Sequence, residues 1–245
     1  MRNTGLNARR GTISADLEGV QAVSLSESED HRVRVARERR ERMRRRLLES
    51  VMAVCSGESV RAPAVIDDVV QHADVSRGTF YKYFDSLDQA ISELGSQLAD
   101  EMTAGIAEIY DVLTDPMMRT ATGFQLFLIR AYMDPHWGAF IARIGLLREE
   151  DLFTSKIRQD IALGIETGDY SVDDIVCASD MLMGAKAEAI LRLISKEKSF
   201  DYIQSMTRFV LCAFGASKVK AAKVVERAFT RIVEQGSSSL PWWQD

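Results

Sequence analysis

Two dipeptides, Asp115-Pro116 and Asp134-Pro135, constrain this 245-residue chain more firmly than any other feature. Aspartate before a helix accepts from its unpaired first-turn N–H groups, and proline suits the first helical position, where its missing N–H would have had no partner. The pairs predict helices over about 116–133 and 135–146. Similar punctuation recurs along the chain. Ser86 opens a helix over about 87–112, and a helix over about 149–167 stops at Gly168. Ser171, with Asp174 three positions on, caps one that reaches about Lys196; Ser199 and Gly215 bracket the next, and Ser217 and Gly236 the last. In that last helix Val225, Phe229, Ile232 and Val233 form a stripe of period 3.6. Earlier, a helix runs from about Val33 to Cys55 and another from about Ala64 to His72, with Pro63 in its first turn; a short one follows. No alternating run of β-branched residues is long enough for a sheet. The expected fold is all-α, with about ten helices.

Hydrophobic residues make up 46% of the chain and charged residues 27%, which excludes global disorder. Residues 1–30 are polar and aperiodic, so a flexible arm is expected there, and 237–245 form a short tail whose Trp242 and Trp243 pack back on the body. No apolar run approaches the roughly 18 residues that span a bilayer, and the first thirty residues lack the apolar core of a secretory signal, so a cytoplasmic protein is expected. Cys55, Cys177 and Cys212 are widely spaced within apolar helical patterns and read as structural thiols; His31, His72 and His136 show no metal-ligand spacing. No cofactor or metal is expected.

The net charge of −5 hides an asymmetry. Residues 31–92 carry 12 basic and 9 acidic groups, residues 93–245 carry 16 and 22. In "HRVRVARERRERMRRR" (31–46) nine arginines face two glutamates. Alone, such a run is as readily a solvated helix face as a nucleic-acid contact.

Its meaning changes with "DVSRGTFYKYF" (74–84) downstream. Two short helices joined by a turn, the second rich in polar and aromatic residues, satisfy the requirements of a helix-turn-helix. The turn is "ADVS" (73–76). Asp74 falls where the chain must adopt a left-handed conformation, Val75 fills the angle between the helices, and Ser76 caps the second by accepting from the Thr79 N–H. Phe80 and Phe84, one turn apart, are expected to be buried against Val69 and Val70. Arg77, Thr79, Tyr81, Lys82 and Tyr83 are left for the other side, and Gly78 keeps the helix start thin enough for close approach of a phosphate. Arg77 can pair with guanine, Thr79 can touch a thymine methyl, and the hydroxyls and Lys82 can bind phosphate. A packed aromatic connector would need only the two phenylalanines.

The stretch "VVQHADVSRGTFYKYFDSLDQAI" (69–91) resembles the DNA-binding module of the TetR family of transcriptional regulators, through Ala73, Val75, Ser76, Gly78, Thr79, Tyr81, Tyr83, Phe84 and Ser86 in ungapped spacing. The sequence likeness covers residues 44–92. It implies an N-terminal helix-turn-helix DNA-binding domain (31–92) and a C-terminal helical ligand-binding and dimerisation domain (93–236). It also implies a homodimer on double-stranded DNA with a palindromic operator, phosphate contacts from Tyr81, and base contacts from Arg77, Thr79, Lys82 and Tyr83. Val70 replaces a usual alanine, Asp74 a glycine and Leu87 a lysine, while Asp67 stands where many members place a polar or basic group near phosphate. Arg44, Arg45 and Arg46 are expected to offset the lost attraction.

In the body, "PMMRTATGFQLFLIRAYM" (116–133) is apolar nearly all round and is expected to be central. Phe124, Leu128 and Tyr132 on it, His136, Trp137, Phe140 and Phe153 beyond it, and Met181 are the residues expected to wall an effector cavity, with Arg130 or His136 as its polar end. Such walls suit a small hydrophobic effector, acidic or aromatic in character; plain core packing is the alternative. Small residues at Ala178, Gly184, Ala185 and Ala189 let helix axes approach, so that helix and the one bearing Phe209, Cys212 and Phe214 form either a two-fold interface or intramolecular core.

Two rival functions make weaker use of the residues. An all-α enzyme of metal–diphosphate chemistry needs Asp-Asp-x-x-Asp, and "DDVVQ" (67–71) and "DDIVC" (173–177) each lack the last carboxylate. A non-specific, architectural DNA-binding protein without effector would have a solid body.

Overall fold

The computed structural model describes residues 11–57, 64–144, 152–195 and 199–243, with backbone alone at 11–30 and 152–153. Pro63 and Lys196 lie outside the described residues, as do residues 1–10 of the expected arm. Ten helices and no strand occur among those described: α1 (Gly11–Cys55), α2 (Ile66–His72), α3 (Arg77–Phe80), α4 (Leu87–Tyr110), α5 (Pro116–Met133), α6 (Pro135–Ile144), α7 (Leu152–Glu166), α8 (Ile175–Ile194), α9 (Phe200–Ala213) and α10 (Lys218–Ser239). The fold is all-α, as the sequence predicts. The chain divides into two compact units, residues 1–47 and 48–245.

In the first unit α1 starts at Gly11, well before the expected Val33. Its basic stretch is exposed and laced by ion pairs at helical spacing, Arg34–Glu38, Arg37–Glu41 and Glu38–Arg42, the middle one at 2.9 Å. Such pairs support an exposed helix by only a few tenths of a kcal/mol each.

In the second unit α5 is the centre. It packs on α4, α6, α7, α8, α9 and α10. Asp115 caps it by accepting from the Met118 N–H at 3.0 Å, with Pro116 at the first position. Leu126, Leu128, Ile129 and Ala131 are wholly buried. Where α6 crosses α5, a Cβ on Gly138 would come within 2.9 Å of the Ala131 Cβ and 3.0 Å of Ile194 Cγ2, so only glycine permits that crossing. The end of α1 is tied to α6: buried Arg143 donates to the Cys55 carbonyl (3.2 Å) and the Ser56 hydroxyl to the His136 carbonyl (2.8 Å).

Two further boundaries differ from the sequence reading. The cap of α8 is Asp174, whose carboxylate accepts from Val176 and Cys177 N–H at 2.8 and 3.1 Å. Ser171 lies three positions ahead of that cap, in a segment held by its backbone N–H donating to the Phe214 carbonyl at 2.8 Å. Helix α10 runs through Gly236 to Ser239, because the indole of Trp243 lies over Gly236, 2.5 Å from where a Cβ would be. That glycine makes room for a tryptophan instead of ending a helix. The tail does fold back on the body, with Trp242 facing Gly105 of α4 and Arg130 of α5.

Candidate nucleic-acid interface and effector cavity

The segment α2–turn–α3 owes its shape to three local choices. Asp74 adopts φ +50°, a left-handed conformation that its short polar side chain tolerates. Ser76 Oγ accepts from the Thr79 N–H at 3.1 Å and so starts α3. Phe80 and Phe84, both buried with ring centroids 5.5 Å apart, hold the segment from beneath. Regular helix ends at Phe80, and 81–83 continue as turns, with Tyr83 N–H donating to the Phe80 carbonyl at 2.9 Å.

The other side of the segment is solvent-facing. Ser76, Arg77, Gly78, Tyr81 and Lys82 are exposed; Thr79 and Tyr83 are half-buried. A Cβ on Gly78 would meet only the Ser76 hydroxyl, at 3.8 Å. Nothing inside the protein requires that position to be bare. Asp67, near the start of α2, grips the Arg77 guanidinium through both oxygens: Nε donates to Oδ1 at 2.6 Å and Nη2 to Oδ2. The hydrogen bond from Arg77 holds the Asp67 carboxyl below the usual carboxylate range. Asp67 thus does more than subtract charge, a role its sequence position did not reveal. In the other compact unit, Arg44 is half-buried on α1, and Arg45 and Arg46 are exposed.

The body holds a cavity of about 50 Å³ between α4, α5, α7 and α8. Ile106, Phe124, Phe127, Ile157 and Leu182 form its apolar walls, and polar groups gather at one side. Asp160, nearly fully buried, accepts from Arg119 Nε at 2.6 Å and from the Tyr110 hydroxyl. Arg119 also donates to the Leu113 carbonyl at 3.0 Å, and its guanidinium lies 4.5 Å from the Tyr110 ring centre. Burial, and then the adjacent Asp160 carboxylate, pushes the Tyr110 phenol far up, so it remains a donor at any ordinary pH. Lys186, also buried, lines the same cavity with its ammonium 4.8 Å from the Phe127 ring centre.

Of the residues expected to wall an effector site, Phe124 alone among those with described side chains lines this cavity. Leu128 and Phe140 are solid core. Tyr132, at the end of α5, is exposed with its ring against Phe200 (centroids 5.0 Å apart), His136 is exposed in the first turn of α6, before that helix packs inward at Trp137, and Met181 is exposed on α8. The Phe153 side chain lies outside the described residues. Trp137 and Arg130 line a separate groove of about 720 Å³ with Glu101, Asp134 and Trp242, where the Arg130 guanidinium sits 5.5 and 5.2 Å from the two indole centres. Sequence reasoning missed Tyr110, Asp160 and Lys186. Lys186 had a signal, falling one turn from both Leu182 and Ile190 on an apolar face. Asp160 had none, since its partners are 41 and 50 residues away.

Among the described residues no cluster of His, Cys, Asp or Glu is placed to hold a metal ion, and no helix is long and apolar enough to cross a membrane. These features define an all-helical protein with a helix-turn-helix and a cavity-bearing body. Several solved structures are similar to it. RolR in complex with the ligand resorcinol shares 23% identity over 78% of this chain and 96% of its own, with a TM-score of 0.57. A γ-butyrolactone receptor, an ArpA-like protein, shares 13% over 80% and 98% (TM-score 0.51), and TylP, a TetR regulator from Streptomyces fradiae, 16% over 79% and 97% (TM-score 0.50). At these identities the likeness establishes that the chain shares the fold of these structures, and no more. Neither a family model nor a curated sequence matches the chain.

Proposed function

We propose that this chain is a TetR-family transcriptional repressor that occupies a palindromic operator as a homodimer and is released by a small ring-bearing effector. The observation that carries the reading is the two-sidedness of the 76–84 segment. Its phenylalanines are buried while Arg77, Tyr81 and Lys82 face solvent over a glycine with no packing role. Arg77 and Lys82, with Thr79 and Tyr83, meet bases; Ser76, Tyr81 and the Gly78 backbone meet phosphate; Arg44, Arg45 and Arg46 add phosphate attraction. A second copy docks through the exposed side of α8 and α9, where Met181, Val176 and Phe209 stand open to solvent.

The effector site is the cavity at Tyr110, Arg119 and Asp160. Its present volume is well below the roughly 150 Å³ that holds a benzene ring, so a ligand must widen it. That requirement makes it a switch, since the ligand then favours the widened state over the closed one. Helix α4 lines the cavity and begins directly after the helix-turn-helix, so widening moves the reading helices. Apolar walls with Asp160 as acceptor and Arg119 as donor suit a hydroxylated single ring; the resorcinol complex of RolR supports that class.

Two measurements test the reading. Binding to mixed-sequence duplex should weaken steeply with salt, and neutralising Arg44, Arg45 and Arg46 together should flatten the log–log slope by about two to three. Failure to bind any duplex at about 50 mM salt removes the reading. A thermal-shift screen of hydroxylated aromatics, resorcinol included, should raise the melting temperature of wild type and not of Asp160→Asn.

A further inference from the structure

We infer that Asp67 is a specificity-determining residue: it fixes the Arg77 guanidinium so that its outer edge addresses a guanine in each half-site. The inference rests on the operator reading above.

The geometry of the pair supports it. A guanidinium carries five N–H donors in one plane. Asp67 takes the inner edge, Nε and one hydrogen of Nη2. The outer edge keeps both hydrogens of Nη1 and the second of Nη2, the fork that matches O6 and N7 of guanine. The carboxylate and the base therefore use different edges of one group and do not compete.

Stability gives no reason for the pair. Both side chains are more than half exposed, at 57% and 62%, and ion pairs of that kind contribute little to folding. Asp67 and Asp68 both stand in the first turn of α2, where a carboxylate meets the helix dipole without gripping an arginine, so that role does not account for the pair. A carboxylate beside a polyanion costs affinity for every DNA sequence equally. Asp67 recovers that cost only if it improves one contact selectively. Holding a four-torsion side chain in its bound conformation beforehand does this, because the rotamer entropy of Arg77 is no longer lost on binding. Asp67 so lowers indiscriminate binding and raises discrimination at one base pair.

The experiment is selection from a library of random 30-base-pair duplexes by full-length wild type, Asp67→Ala, Asp67→Asn and Arg77→Ala. Wild type should enrich a palindrome with a guanine in each half-site. Arg77→Ala should lose the preference at that position. Asp67→Ala should lose it at the same position by about fivefold to tenfold, and Asp67→Asn by less, while binding to random duplex tightens in both. An Asp67→Ala profile identical to wild type, with affinity raised evenly for all duplexes, would overturn the inference and leave Asp67 as a charge penalty alone. Loss of preference at a position other than the one Arg77 governs would overturn it equally. If wild type enriches no sequence, the operator reading fails and takes this one with it.

Discussion

Helices α3 and α5 mark the extremes of the second compact unit. The first has four residues with one buried, and the second eighteen with thirteen buried. Helix α3 keeps its polar groups outward, so its shape is set by local geometry. Helix α5 is surrounded by six others, and each of its side chains answers to residues far away in sequence. The difference teaches where function can be separated from stability. At α3 the two should come apart under mutation; around α5 they should fail together.

The sharpest way to break that contrast is at Asp160. Its carboxylate is the common acceptor for Arg119 and Tyr110, and Asp160→Ala leaves a largely buried guanidinium and a buried hydroxyl without it. Removing one partner of such a pair costs about 3 kcal/mol. The urea midpoint should fall accordingly and the effector response disappear with it. A variant with full stability but no effector response would show that the cavity separates function from stability as α3 does.

Next in size is Gly164→Ala on α7. The added Cβ would fall on the Tyr170 ring, 2.8 Å from its Cγ. The ring has little freedom to retreat, because its hydroxyl donates to the Pro116 carbonyl at 3.2 Å and its N–H to the Gly164 carbonyl at 2.9 Å. Overpacking of this kind costs about 2 kcal/mol, readable as a lower unfolding midpoint with α5 loosened at its start.

These two sites also mark the limit of what the sequence discloses. The left-handed Asp74, the Ser76 cap, the Asp115-Pro116 start of α5 and the two-sided 76–84 segment all follow from residues within four positions of each other, so one chain suffices to find them. The cavity brings together residues 103–127, 156–160 and 182–186. No periodicity within one helix states that Asp160 meets Tyr110, and aromatic content alone directed attention to Tyr132 and His136, which lie on the surface. The passage of α10 through Gly236 failed for the same reason: the tryptophan that lies over that glycine comes from beyond the helix itself.

On the α3 side, Arg77→Ala should leave the unfolding midpoint within about 0.5 kcal/mol of wild type, as exposed substitutions do. It should weaken binding to the selected operator by about 1–3 kcal/mol more than it weakens binding to random duplex, where only the lost positive charge beside Asp67 counts. Equal losses on both duplexes would mean that Arg77 meets phosphate and carries no base preference.

Gly78→Ala sharpens the contrast most, although its effect on the fold is the smallest. The position is exposed, its φ is not positive, and a new methyl would meet only Ser76 Oγ at 3.8 Å. Alanine in a helix is favoured over glycine by up to about 1 kcal/mol, and in a helix of one turn about half of that is the expected gain in stability. On the operator reading the same methyl stands where a phosphate oxygen approaches the α3 backbone, so affinity for every duplex should drop, with the salt slope retained. A substitution that raises the melting temperature and lowers DNA affinity identifies a residue kept for the partner and not for the fold. If affinity and stability instead rise together, the thin start of α3 has no part in binding, and the approach of DNA must be drawn along Tyr81 and Lys82.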